Sequence, residues 1–549
     1  MKNAAQKGNP YANCKKALVC LSFSVLASAL MAAEYTVDSV SSLKSRIQSA
    51  ADGDTIILKA GVYDLSGQTP TRQSAKYPIA YLVIASKKLT LRGENETSWR
   101  AKQRSEESII KGGDKAAILY AHGVAARNSA FYNLTFEDAC YTNDTVQFAF
   151  GGGAISFVAT DGDGVVSNCV FRNCHTDKNG GALCYIDAID SYFTNCTSSA
   201  SGGAVYGGFR TGPATNRFLN CLFEYNTAKD RGGAVYCNPA LKVEGCVFRG
   251  NKARYGAGLS GDPDEFYGEV LNCEFSDNQG DELLKDRSDH NRGTHVTRFR
   301  SVTNCKFSGS GDVYVPEIDR CQFSGCSQRY IDNYSGLVTF DATSGDGFIR
   351  NSLFDHCAAP RLITTSGTTA AIENCTFADN ILSGFPSGDV KKGYFIYAFR
   401  GYDKIDGDLV APSTNVTVNC IFANNKVGDY SADVNFYRTT GLVVSPSENI
   451  VSNCVYGTIN KSDVAWNAPA IEENFVRRTV SFVKSNQSRY PNVAPYTPKT
   501  RTGVVDCGVK LDWMDGALDL AGNPRVKGTA CDLGCYERWF SIGLAVVFW

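Results

Sequence analysis

The chain has 549 residues and a formal net charge of -1, so no basic surplus exists to neutralise nucleic-acid phosphates or an anionic membrane surface. Glycine is frequent at 52, proline modest at 16 and methionine scarce at 3, a mix that disfavours long helices and favours short strands between tight turns. Length alone suggests several ordinary domains, but that expectation fails for repeat folds, which grow by adding units.

Lys15 and Lys16 precede an apolar stretch from Ala17 to Ala33, in which Ala27, Ala29, Ala32 and Ala33 supply small residues for a signal-peptidase cut. Residues 1–33 read as a signal peptide; the stretch is shorter than the ~20 residues of a membrane-spanning helix. Cys20 lies too early in it for a lipoprotein cut. No later segment is long and apolar enough to span a bilayer as a helix. Of the 21 cysteines, Cys14 and Cys20 would leave with the signal. The remainder is odd, so at least one is free or pairs between chains. The expected location is secreted, extracellular or the outer surface of a bacterial cell.

Residues 34–130 read as an N-terminal cap and first coils. Val40, Leu43, Ile47 and Ala50 recur at helical spacing behind Asp38 and Ser39, predicting one short amphipathic helix. First rungs follow at Gly53-Asp54-Thr55-Ile56-Ile57-Leu58, Gly61-Val62-Tyr63 and Leu89-Thr90-Leu91-Arg92-Gly93.

Residues 131–459 carry the repeat. Its fullest copies are Asn168-Cys169-Val170-Phe171, Asn220-Cys221-Leu222-Phe223, Asn272-Cys273-Glu274-Phe275, Asn374-Cys375-Thr376-Phe377 and Asn419-Cys420-Ile421-Phe422. An Asn or Cys stands three residues beyond each Phe, where it is expected to serve a bend. A second element is interleaved: Gly152-Gly153-Ala154, Gly180-Gly181-Ala182, Gly202-Gly203-Ala204 and Gly232-Gly233-Ala234. It fades after position 300 while Cys-x-Phe persists. Cys and Phe are two apart, so a strand places them on one face, and the residue between them varies from apolar to charged, as an outward position allows. Each unit is too short to bury its own core. Stacked coils would align Phe on Phe and Cys on Cys inside an all-β, right-handed parallel β-helix with a short capping helix. The glycines would permit positive φ or close coil-to-coil approach.

Over 460–505 the repeat is lost and Pro491, Pro495 and Pro498 cluster, giving a connector. Residues 506–537 form a small irregular C-terminal region, and 538–549 are an apolar tail ending in Phe548-Trp549. The tail reads as a strand packing on the last domain, with a sorting or anchoring signal as the alternative.

Three segments carry a resemblance. Gly-Asp-Thr-Ile with Gly-Val-Tyr resembles the start of pectate-lyase-like β-helix proteins. The Gly-Gly-Ala and Phe-x-x-Asn repeats resemble those of chlamydial polymorphic outer-membrane proteins. Asp519-Leu520-Ala521-Gly522-Asn523-Pro524-Arg525 with Asp532-Leu533-Gly534-Cys535-Tyr536-Glu537 is similar to the choice-of-anchor Q region of bacterial surface proteins, the most specific of the three. Together they cover most of the mature chain and imply a β-helix and export to the envelope. Relatives with chlamydial-type repeats carry a large C-terminal barrel, for which no room is left after Glu537.

The fold hosts adhesins, lyases and hydrolases alike, so activity must be argued from residues. The ladder of Cys169, Cys221, Cys273, Cys375 and Cys420 reads as buried thiols, because stacked neighbours keep the ~4.8 Å strand spacing while a relaxed disulfide wants Cβ atoms ~3.8 Å apart. Cys507 with Cys531 or Cys535 is the better disulfide candidate, being off the ladder. His290 and His295 are read as a polar loop with Asp286 and Asp289. The visible carboxylate pairs, Asp161 with Asp163 and Asp341 with Asp346, lie in Gly-rich turns where local hydrogen bonding suffices to explain them. They are weak catalytic candidates. The expectation is therefore a monomeric scaffold for adhesion, binding polysaccharide or surface protein, without metal or cofactor. The alternative is a polysaccharide lyase or glycoside hydrolase acting on acidic plant or host glycans, with calcium if it is a lyase.

Overall fold

The computed structural model describes residues 32–538, apart from 73–77, 143–150, 158–163, 208–215, 238–240, 262–265, 281–294, 328–335, 342–343, 383–393, 400–412, 428–435, 439–447, 453, 457–470, 474–475, 478–479, 481, 483–493, 495, 500–503 and 527–529. The expected signal peptide, most of the connector and the apolar tail lie outside these residues.

Short runs of β-branched and aromatic residues, each closed by Asn, Asp or Gly, give strands of two to seven residues. One coil shows the plan. Val165–Ser167 belongs to a first sheet (A), Val170–Arg172 to a second (B), His175–Thr176 to a short side strip and Leu183–Cys184 to a third sheet (C). The chain then returns to sheet A at Asp187–Ile189, in parallel register with Val166 beside Ala188. Among the described residues sheets A, B and C hold 16, 15 and 14 strands, and the side strip holds six. The strip runs from Cys140–Tyr141 to Gln279–Gly280, the stretch that carries the Gly-Gly-Ala element.

The corners follow from backbone sterics. Between sheets A and B stands the Asn of Asn-Cys, left-handed at Asn168 (φ 51°), Asn220 (55°), Asn374 (53°) and Asn419 (56°), a region that Asn tolerates better than most residues. A second left-handed residue stands two beyond each Phe, as at Asn173 (φ 54°) and Asp277 (52°). The bend expected three beyond Phe thus falls one residue earlier. The Asn at that position is interior instead. Asn251 donates from Nδ2 to the Phe223 carbonyl at 3.0 Å, and its Oδ1 accepts from the Asn226 backbone N–H at 3.0 Å. Asn278 repeats this one coil on, so a buried amide ladder satisfies backbone groups of neighbouring coils.

At Gly202 φ is 73°, and a Cβ on Gly203 would lie 1.9 Å from the Gly233 carbonyl oxygen, so the first glycine serves conformation and the second close approach.

The Phe ladder fills the interior. Phe171 stacks on Phe193 with centroids 4.8 Å apart, Phe248 on Phe275 at 4.8 Å and Phe377 on Phe422 at 4.9 Å, all nearly parallel. Phe223 and Phe275 belong to the same continuous core. The ladder cysteines are buried thiols, and Cys169 Sγ lies 3.4 Å from the Phe131 carbonyl oxygen.

The helix, α1 (Val40–Ser49), is the single α-helix among the described residues. Ser39 caps its N-terminus through a reciprocal pair with Ser42, while Lys87 Nζ donates to the Gln48 and Ala50 carbonyls at its C-terminus. Leu43 and Ile47 are buried on the first coil, closing that end of the core. Strands that went unforeseen include Glu34–Val37, which precedes the helix and pairs with Thr55–Leu58, and Ile79–Ala85. No helix among the described residues is long and apolar enough to cross a membrane.

Candidate functional site

The outward positions of sheet B change character along the stack. Glu274 is exposed and pairs with Lys306 at 3.0 Å, whereas Leu353, Ile421 and Val455 further on are apolar and buried. A sheet face patterned this way must be covered, and residues from Val480 onward cover it. Val480, Val504 and Leu533 pack on Ile421 and Val455, and Cys535 and Tyr536 on Leu353.

Corner asparagines lock the cover in place. Asn419 Nδ2 donates to the Val509 carbonyl at 2.8 Å, and its Oδ1 accepts from the Val509 N–H at 2.9 Å. Arg525 is fully buried, donates to the carbonyls of Asp532 (2.6 Å) and Gly534 (2.7 Å), and reaches the Asn374 amide oxygen. Asp519, also buried, accepts from the backbone N–H of Asn523 and Glu537. The polar residues of the C-terminal motif therefore build a clasp. Asp506, Asp532 and Glu537 bring carboxylate oxygens within 4.8 Å of one another. Burial, then the Asp532 charge, pushes Glu537 up to about 8. The Arg525 guanidinium 3.9 Å from Glu537 and backbone N–H groups on Asp532 and Glu537 answer the two buried carboxylates within the clasp itself.

Where the clasp meets sheet A it leaves a groove of about 460 Å³. One wall is the outer face of sheet A, with Glu317, Asp319, Phe348 and Arg350; the other is Trp513 and Gly516–Leu518. Alternation places these side chains outward: Ile318 and Ile349 point into the core, so Glu317, Asp319, Phe348 and Arg350 face out. The Arg350 guanidinium lies 4.0 Å from the Phe348 ring centroid and 4.8 Å from that of Trp513, while its Nε donates to Glu373 at 2.7 Å. Arg320 pairs with Asp319 at 3.1 Å, and Arg300 with Glu317 at 3.1 Å. Asn351 is buried and donates to Asp319 Oδ1 at 3.1 Å. An aromatic ring beside planar hydrogen-bonding groups held by their own partners suits a ligand rich in hydroxyls.

A polar cluster marks the opposite edge of the clasp. His356, left-handed at φ 53°, holds Asp355 at 3.1 Å through Nδ1; Tyr496 donates to Asp379 at 2.9 Å and approaches His356 Nδ1 at 3.2 Å. Burial, then Asp379, pushes the Tyr496 phenol far up.

The weak catalytic candidates are not brought together here. Asp161 and Asp163 lie outside the described residues. Asp341 ends the strand Val338–Asp341, and its side chain is likewise outside them. Asp346 is exposed and accepts from the Thr369 N–H of the next coil at 3.0 Å, a bond that ties two coils together. The expected disulfide is not formed. Cys531 is buried and its carbonyl pairs with the Gly508 N–H, so Cys507, one residue away, faces solvent; Cys535 is buried against Thr376. His290 lies outside the described residues. His295 is not in a polar loop: it is fully buried beside Phe275 and Phe307, contacts Asn278 Nδ2 at 3.1 Å, and burial holds it down to about 3.

Sequence reasoning missed Glu317, Asp319, Phe348, Arg350 and Trp513. The first four could be found by writing out the outward positions of the strands that precede each Cys-x-Phe. Trp513 gives no such signal, since its placement depends on how the clasp folds back.

The coils, together with a match of residues 106–270 to the sequence family described as right handed beta helix region, define a right-handed parallel β-helix. No curated protein matches the chain. Among solved structures, the PL6 family alginate lyase AlyGC is similar at 12% identity and a TM-score of 0.37, covering 85% of this chain and 56% of its own. The PL6 family polysaccharide lyase Pedsa3628 from Pseudopedobacter saltans is similar at 11% identity and 0.32, covering 87% and 99%. Pectate lyase Pel9A is similar at 11% and 0.27, covering 92% and 96%. This chain thus spans little more than half the length of AlyGC.

Proposed function

We propose that the protein is an exported, surface-exposed β-helix scaffold that binds glycans without transforming them, using the groove between sheet A and the C-terminal clasp. The observation that supports this is the wall of Trp513, Phe348 and Arg350 facing the paired Glu317, Asp319 and Arg320. Sugar rings offer apolar C–H faces to an aromatic ring and hydroxyls to charged planar groups. The remaining outer faces serve as a rigid stalk, and the unit acts as a monomer. Replacing Trp513 by Ala should weaken binding to immobilised polysaccharide by about tenfold while leaving the coils folded, as removal of one aromatic anchor does. Circular dichroism with affinity electrophoresis checks both halves, and unchanged retention in W513A would refute the assignment of the groove.

One observation favours a second reading, a glycoside hydrolase. Glu317 and Asp319 are outward neighbours on one strand, ~6.6 Å apart along it, within the ~5–10 Å range of hydrolytic carboxylate pairs. On this reading new reducing ends appear during incubation with polysaccharide and vanish in E317Q.

A further inference from the structure

We infer that the groove takes an uncharged glycan and rejects polyuronates. This rests on the reading of the groove as a glycan site and adds its substrate class. The argument is electrostatic. Four charged residues line the groove, Glu317, Asp319, Arg320 and Arg350, two of each sign. Each cation is already committed. Arg320 Nε is on Asp319 Oδ2 at 3.1 Å. Arg350 Nε is on Glu373 Oε2 at 2.7 Å, and its plane is held against Phe348 and Trp513. The nearby Arg300 is on Glu317. No lysine stands among the groove-lining residues described.

A uronate carboxylate entering here would meet Glu317 and Asp319 as like charges. The guanidinium N–H groups it could reach belong to cations whose charge Asp319 and the largely buried Glu373 carboxylate already neutralise (side-chain exposure 13% for Glu373), and drawing either cation away would strand that carboxylate. A hydroxyl meets no such penalty. It donates to a carboxylate oxygen and accepts from a guanidinium N–H while the ion pair stays intact. The same pairs that repel a polyanion are thus good partners for neutral sugar hydroxyls, with Trp513 supplying the apolar contact.

The test uses the full chain and six probes: soluble mannan, β-1,4-glucan oligosaccharides, chito-oligosaccharides and β-1,3-glucan as neutral glycans, polygalacturonate and alginate as polyuronates. Binding is read by calorimetry at about 50 mM and about 500 mM salt, because ionic recognition weakens steeply over that range and neutral recognition does not. The expected result is binding to a neutral probe that changes less than about twofold with salt and falls about tenfold in W513A. A double variant, D319N with E373Q, should acquire salt-sensitive binding to polygalacturonate, because both guanidiniums lose their carboxylates. Circular dichroism checks that the variant folds. Salt-sensitive polyuronate binding by the parent chain, lost in W513A, would overturn the substrate class and leave the groove as a glycan site. Binding to none of the probes, or binding indifferent to W513A, would overturn both.

Discussion

At the scale of single residues, the interior of the helix is polar in places where every polar atom must be answered. Asn226, Asn251 and Asn278 form a buried amide ladder, and His295 stands at its end, with Asn278 on one ring nitrogen. His295 stands just before Val296, which pairs with Leu259, so it takes the register position that Ala fills in the Gly-Gly-Ala coils. Burial holds its pKa at about 3 against an ordinary 6.5. Below pH 6.5 the unfolded chain binds a proton that the folded chain refuses until about pH 3. Stability from this site is therefore complete above pH 6.5 and lost as pH falls through that window, by on the order of 5 kcal/mol at most. H295Q keeps a partner for Asn278 and cannot titrate. Acid unfolding followed by tryptophan fluorescence should move to lower pH in H295Q, and an unmoved midpoint would show that other groups govern acid sensitivity.

At the scale of elements, the clasp is held by two kinds of contact: apolar packing on Leu353, Ile421 and Val455, and the buried Arg525. Removing a buried donor that answers the Asp532 and Gly534 carbonyls leaves both unsatisfied, at roughly 1–3 kcal/mol each. R525M should therefore loosen 505–537 while the coils stay intact. Limited proteolysis should then cut within the clasp first and leave a stable core fragment, and loss of W513-dependent binding should accompany the cut. A uniformly resistant R525M chain would show that apolar packing alone suffices. The same element-scale reasoning explains what was legible beforehand. Val40, Leu43 and Ile47 announce α1 by their spacing, and Cys-x-Phe announces the inward ladder, whereas the A-to-B corner at the Asn before Cys shows only in the backbone. The strand Glu34–Val37 carries too few residues to declare a period, and its pairing with Thr55–Leu58 exists only once the coil closes.

At the scale of the whole molecule, each coil touches mainly its two neighbours, so stability is distributed along the stack. Phe275 lies mid-ladder between Phe248 and Phe307. F275A should cost about 3–5 kcal/mol through the cavity it opens. Its effect should spread outward from that point: hydrogen exchange should rise first in the coils flanking 275 and last near α1. Uniform loss of protection would indicate a single cooperative unit instead.

What the chain determined by itself was the coil. The recurrence of Phe two beyond Cys and the paired glycines are local requirements, repeated often enough that their stacking follows from geometry alone. The groove was decided by tertiary structure. Glu317, Phe348 and Arg350 are ordinary outward residues in their own strands, and Trp513 is an ordinary residue in an irregular segment. They become one site only because Asn374, Asn419 and Arg525 fold the end of the chain back across coils 90 or more residues away in sequence, a long-range contact that no local pattern encodes.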